Sequence, residues 1–206
     1  MGPGPTGRPG HLGQTGEIAD LHLTPTGYER LLPPGVQLTV KTRRRALAQR
    51  ARGRVLDLGG AEGHRSLWDR PGVDATVLAA NRGERLAGLA DRGARFDTVF
   101  SVFQLVAAPD LAATLTHLGE VLAPEGALHF LEPARLRGRI TGRAQRVVAP
   151  VVDAATGWRV DRDLPRELRA AGLSVTDLER HRTGTVQWWL RSLVEGRAHH
   201  ALPVGR

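Results

Sequence analysis

Residues 54–68 read RVLDLGGAEGHRSLW: an apolar run closes on a carboxylate at Asp57, opens into Gly59-Gly60-Ala61-Glu62-Gly63, and resumes as a helical stretch. Glycines after a strand let the backbone approach a ligand closely, and the helix start behind them carries unpaired N–H groups. Three nucleotide chemistries compete for such a loop. A phosphate-gripping P-loop needs Gly-Lys-Ser or Gly-Lys-Thr, whereas His64 follows Gly63. A dinucleotide fingerprint needs G-x-G-x-x-G, which this run does not supply. The two carboxylates, Asp57 and Glu62, would repel a pyrophosphate. They suit a ligand that carries an ammonium and a sulfonium, the charges of S-adenosylmethionine. Ala61 adds one methyl where close backbone approach is wanted, a mild departure.

The elements that must position this loop follow from periodicity. Strands are expected at 54–58, 74–79, 96–103, 127–132, 173–180 and 190–198, and helical stretches at 40–52, 62–69, 84–90, 111–122, 140–154 and 162–171. Strands separated by helices imply an α/β architecture with a mostly parallel sheet covered on both faces. Ligands in such sheets sit beyond the carboxyl ends of the strands, where the strand order reverses, and the glycine loop lies at one such end. Phe103 and Gln104 after the strand at 96–103, and Glu132 after the next, are expected to open onto the same cleft. His64 is a candidate general base, weighed against a helix-start residue bonded to backbone or water. Trp188-Trp189 reads as core ahead of a roof over an apolar acceptor pocket, and His199-His200 lacks a third ligand, so no metal site is expected.

Composition bounds the rest. The chain has 206 residues and 41% hydrophobic content, enough for one domain with a sizeable core. Residues 1–35 read as a disordered Gly/Pro-rich tail, 36–199 as the domain and 200–206 as a C-terminal tail. Cys 0 excludes disulfides and cysteine-ligated zinc. No apolar run spans a membrane and no secretory signal opens the chain, so a cytoplasmic location is expected. The net charge of +8 is nearly all arginine, Lys41 being the sole lysine and Asn81 the sole asparagine. That bias fits a GC-rich genome better than selection for polyanions. The arginines of VKTRRRALAQRAR at 40–52 have no interleaved aromatics for base stacking, which leaves nucleic-acid binding disfavoured.

Three pieces in order carry a resemblance. VLDLGGAEG at 55–63 resembles the first motif of class I SAM-dependent methyltransferases. FDTVFSVFQLVAAPDLAATLTHLGEVLAPEGALHFLEP at 96–133 resembles the fourth-strand, helix and fifth-strand block of their type 11, ubiquinone/menaquinone methyltransferase-related group. GWRVDRDLPRELRAAGLSVTDLERHRTG and LRSLVEGRAHH resemble the end of that group. The resemblance implies a Rossmann-like sandwich, S-adenosylmethionine as cofactor, and a small, apolar methyl acceptor. It implies Asp57, Gly59, Gly60, Ala61, Gly63, Asn81 and Phe103 as cofactor-binding residues and names no catalytic residue.

Two departures stand against the family pattern. Ala79 occupies the place of the acid that binds the ribose hydroxyls, and Asn81 is the nearest polar substitute. The segment 80–95 is too short for a helix, a strand and their loops, which together need about 24 residues or more. The third, edge strand is therefore expected to be missing, giving the family order 2-1-4-5-7-6. Two functions follow: a SAM-dependent methyltransferase with a small-molecule acceptor, or a catalytically impaired methyltransferase-like binding or partner protein.

Overall fold

Near-continuous apolar runs in the strands predict burial on both faces of a sheet, and each central strand divides its side chains between two cores. In the computed structural model, residues 32–59, 65–78, 82–136, 138–185 and 187–201 are described. Their elements run α1 (Pro34–Arg50), β1 (Gly53–Asp57), α2 (Arg65–Trp68), β2 (Val73–Val77), α3 (Arg82–Asp91), β3 (Phe96–Val102), α4 (Leu111–Val121), β4 (Leu122–Pro133), α5 (Arg139–Thr156), α6 (Leu164–Ala170), β5 (Leu173–Arg182), a 3₁₀ turn (Trp188–Leu190) and β6 (Ser192–His200).

One six-stranded sheet has the order β2-β1-β3-β4-β6-β5. The first four strands pair in parallel, and β6 inserts antiparallel between β4 and β5. This is the order expected for a sheet without its third strand. The stretch between β2 and β3 contains α3 and no strand among the described residues, so β2 forms the edge.

Alternation along the strands builds the cores. Val55, Phe100, Leu131 and Leu193 join Val36, Val40 and Leu47 of α1, Val152 of α5 and Trp158 on one face. Leu56, Val99, Phe130 and Val194 meet Leu86 of α3, Leu115 and Leu118 of α4 and Leu168 of α6 on the other. Asp110 caps α4 by accepting from the Ala113 N–H at 2.9 Å. Among the described residues no helix is long and apolar enough to cross a membrane.

Three elements differ from expectation. The first helix starts at Pro34 rather than near residue 40, because Pro34 sits in its first turn, where a missing N–H costs nothing. Its buried stripe includes Val36, Val40, Leu47 and Ala48. The strand expected at 127–132 begins at Leu122 and takes in Pro124-Glu125-Gly126, with an irregular register against β3 between Phe96 and Thr98. A Cβ on Gly126 would lie 2.8 Å from the Phe96 carbonyl oxygen, so only glycine permits that approach. The last strand begins at Ser192, because Trp188–Leu190 forms a 3₁₀ turn first.

Candidate active site

The carboxyl end of β1 is fixed before any ligand is considered. The Leu58 N–H donates to the Phe100 carbonyl at 3.0 Å and the Leu78 N–H to the Asp57 carbonyl at 2.8 Å. Asp57 is fully buried there. Its Oδ1 accepts from the Gly59 N–H at 2.7 Å and its Oδ2 from the Trp68 indole N–H at 2.9 Å. Trp68 stands edge-on to Phe100, with ring centroids 4.9 Å apart. The carboxylate thus ties the start of the loop to the helix behind it. The indole partner has no short-range signal in the sequence, being eleven residues downstream.

Of the predicted cofactor residues, Asp57, Gly59 and Phe103 are described. Gly60, Ala61, Gly63 and Asn81 lie outside the described residues, as do Glu62, His64 and Ala79. The strand order places β2 and β3 on opposite sides of β1, so the chain leaves β1 toward one side and returns on the other. That reversal marks the end of β1 and β3 as the position where open α/β sheets bind ligands.

At the end of β3, Phe103 adopts φ +58, a left-handed conformation unusual for a bulky residue. Its N–H donates to the Leu131 carbonyl at 3.0 Å, and its ring packs on Trp158 at 5.5 Å. The side chain is wholly buried and belongs to the core. Such strain persists only where the surroundings over-determine it, and here they do. Glu132 of β4 gathers the residues that follow: its Oε1 accepts from the Ser101 hydroxyl at 2.7 Å and from the N–H groups of Gln104 and Leu105 at 3.0 and 3.1 Å, and its Oε2 from the Val106 N–H at 3.1 Å. From the opposite side, Arg162 donates to the carbonyls of Leu105 and Ala108, each at 2.6 Å. A cation and an anion thus hold one loop by its two kinds of backbone group.

This corrects the expectation that Phe103, Gln104 and Glu132 open onto the cleft. All three are buried. Burial raises the Glu132 pKa above its ordinary 4.5, against the opposing pull of Ser101 and the three amides. With both oxygens occupied, Glu132 positions the loop rather than exchanging protons with a substrate. Arg162, flanked in sequence by Asp161 and Asp163, reads there as surface charge, and no local signal marks its role.

The basic helix has its own anchor. Glu195 of β6, 1% exposed, meets His181 Nε2 at 3.1 Å and the guanidinium groups of Arg50 and Arg43 at 3.6 and 3.8 Å. Glu179, His181 and Glu195 have metal-ligand spacing, the one such group among the described residues. The two arginines already supply positive charge to it, and a dication would have to displace them.

His129 of β4 gives a pH test. It is buried, and its pKa is lowered from 6.5 to about 4 by desolvation first and then by Arg197 and Arg50. Its Nδ1 has no hydrogen-bond partner, which suits a neutral ring. The folded state therefore resists the proton that the unfolded state takes up below pH 6.5. The contribution of His129 is full above pH 6.5 and is lost as pH falls toward 4, by about 2 kcal/mol between pH 7 and pH 5. Urea melts at both pH values check this: the His129→Gln variant loses less stability than wild type over that interval. Equal losses in both proteins would place the acid sensitivity elsewhere.

Comparison with known proteins supplies the remaining finding. Residues 36–178 match a family model described as a methyltransferase domain. No curated protein gives a significant sequence match. Among solved structures, TnmH superposes with a TM-score of 0.53 at 19% identity over 85% of this chain and 58% of its own. The [4+2]-cyclase SpnF gives 0.55 at 16% identity over 86% and 82%. The N-methyltransferase NodS of Bradyrhizobium japonicum WM9, solved with S-adenosyl-L-homocysteine, gives 0.53 at 15% over 84% and 91%. At these identities the likeness is one of fold. The chain spans 58% of TnmH and 55% of the mitomycin 7-O-methyltransferase MmcR.

Proposed function

Because the chain belongs to the methyltransferase domain family, with the class I SAM-dependent methyltransferase fold, we propose that it transfers a methyl group from S-adenosylmethionine to a small-molecule acceptor. The observation that carries this reading is the buried Asp57 carboxylate holding the Gly59 N–H beside the point where the sheet reverses between β1 and β3, with a glycine-rich sequence following it. The site chemistry fits the cofactor. The loop from Gly59 to Gly63 offers backbone without bulk, and its carboxylates favour a cationic methionine end over a phosphate.

S-adenosylmethionine supplies an electrophilic methyl group on a sulfonium. Gly59, Gly60, Ala61 and Gly63 would hold its methionine part and Asn81 its ribose, while Asp57 shapes the loop that does so. Phe103 would serve through the backbone turn that it imposes after β3. In-line methyl transfer needs alignment more than proton transfer, so a rigid crevice floor is what the chain must provide. The Glu132–Arg162 clamp provides it.

Titration calorimetry with S-adenosylhomocysteine and S-adenosylmethionine tests the reading. Saturable binding is expected, weakened by the absence of an acid at Ala79. Failure of both to bind at millimolar concentration sinks the proposal. The alternative, a binding protein without turnover, is supported by Ala79 and by the missing edge strand. Methyl transfer to any acceptor by the wild-type chain removes it.

A further inference from the structure

Among the described residues, one concavity is lined mainly by arginines, and Asp57 and Gly59 are not part of its lining. Beyond the carboxyl end of β4, an open cavity of about 720 Å³ is lined by the segment after Pro133, α5, the start of α6, and β5 and β6. Arg135, Arg139, Arg143, Arg146, Arg169 and Arg180 all line it, and Asp163 is its one carboxylate. Arg139, Arg143 and Arg146 follow one another at helical spacing, so α5 turns a single flank toward the cavity. Buried Leu164 and Val194 also line it and give it an apolar floor.

Among the described residues, Arg135, Arg139, Arg143, Arg146 and Arg169 make no ion pair with a carboxylate; the arginine ion pairs there involve Arg43, Arg50 and Arg159, none of which lines this cavity. Arg180 reaches the Arg135 carbonyl at 3.3 Å, and Arg169 the Pro165 carbonyl at 3.2 Å, a contact that leaves Arg169 further donors on its fork. Like charges gathered around one hollow repel, and a bound polyanion relieves that repulsion. Planar guanidinium forks match phosphate oxygens in pairs.

We propose that this cavity binds a phosphorylated small molecule, with the anionic group on the arginine rim and the organic body on the Leu164–Val194 floor. Arg162 lines the cavity while holding the loop after β3.

The test is calorimetric titration of the full chain with inorganic pyrophosphate at low ionic strength. Saturable one-site binding is expected. Arg143→Ala/Arg146→Ala, both at exposed positions, should weaken it by about tenfold or more. Arg45→Ala/Arg52→Ala, exposed and remote on and after α1, should leave it unchanged. Absence of saturation in the wild type, or equal weakening by the two pairs, overturns the proposal, the latter by showing general charge attraction. S-adenosylhomocysteine affinity should be the same in all three proteins. If pyrophosphate binds and S-adenosylhomocysteine binds none of them, the anion site stands and the methyltransferase reading falls.

Discussion

Replacing Glu132 by alanine should cost about 3–5 kcal/mol and lower the melting temperature by about 10 °C. Four donors converge on this carboxyl: the Ser101 hydroxyl and the N–H groups of Gln104, Leu105 and Val106. Alanine leaves all four without an acceptor in the interior, at about 1–3 kcal/mol for each group not rescued by water. Glu132→Gln separates the cage from mere volume. Its carbonyl oxygen can keep the three donors now held by Oε1, while its amide N–H groups face the Val106 N–H. The glutamine variant should therefore lose about 1–2 kcal/mol, well short of alanine. Equal losses in the two variants would mean that packing, not the donor cage, holds the loop.

The same group has a pH signature. Burial raises its folded pKa above 4.5, so its contribution is full below 4.5 and declines as pH rises through the raised value. That is opposite in direction to His129, whose contribution declines as pH falls. Glu132→Gln should remove the first dependence and leave the second.

The next largest effect is expected at Asp57. Asparagine has one side-chain acceptor where the structure has two donors to satisfy, the Gly59 N–H and the Trp68 indole. Turning one amide N–H toward a buried donor should cost about 2–4 kcal/mol in Asp57→Asn, a fall of roughly 5–10 °C in melting temperature. Both oxygens already serve the protein, so the affinity of the folded variant for S-adenosylhomocysteine should drop by less than about tenfold. Thermal melting of the cofactor-free protein and calorimetry well below the transition give the two numbers separately. A ten- to hundredfold loss of affinity at unchanged melting temperature would reverse the assignment and turn the carboxylate toward the ligand.

What the sequence determined by itself was the order of the elements. Strands buried on both faces must be continuous apolar runs, and helices that cover them must show a one-sided stripe, so VFSVF and Leu111, Leu115 and Leu118 declared themselves. Chain length did the same for the missing strand, since sixteen residues from Ala80 to Arg95 cannot hold a helix, a strand and their loops. The direction of polar side chains was left to the tertiary structure. Glu132 and Gln104 end strands and look poised to face solvent, yet both turn inward because three amides arrive beneath one and a carbonyl beneath the other. Arg162 lies 57 residues from the Leu105 carbonyl that it holds, and Arg180 reaches the Arg135 carbonyl across 45. Spacing rules see only neighbours along one helix or strand. Hydrogen-bond partners and charged cavities are made by segments that meet only after the sheet has ordered them, and that is why the loop clamp and the arginine hollow were visible only in the folded chain.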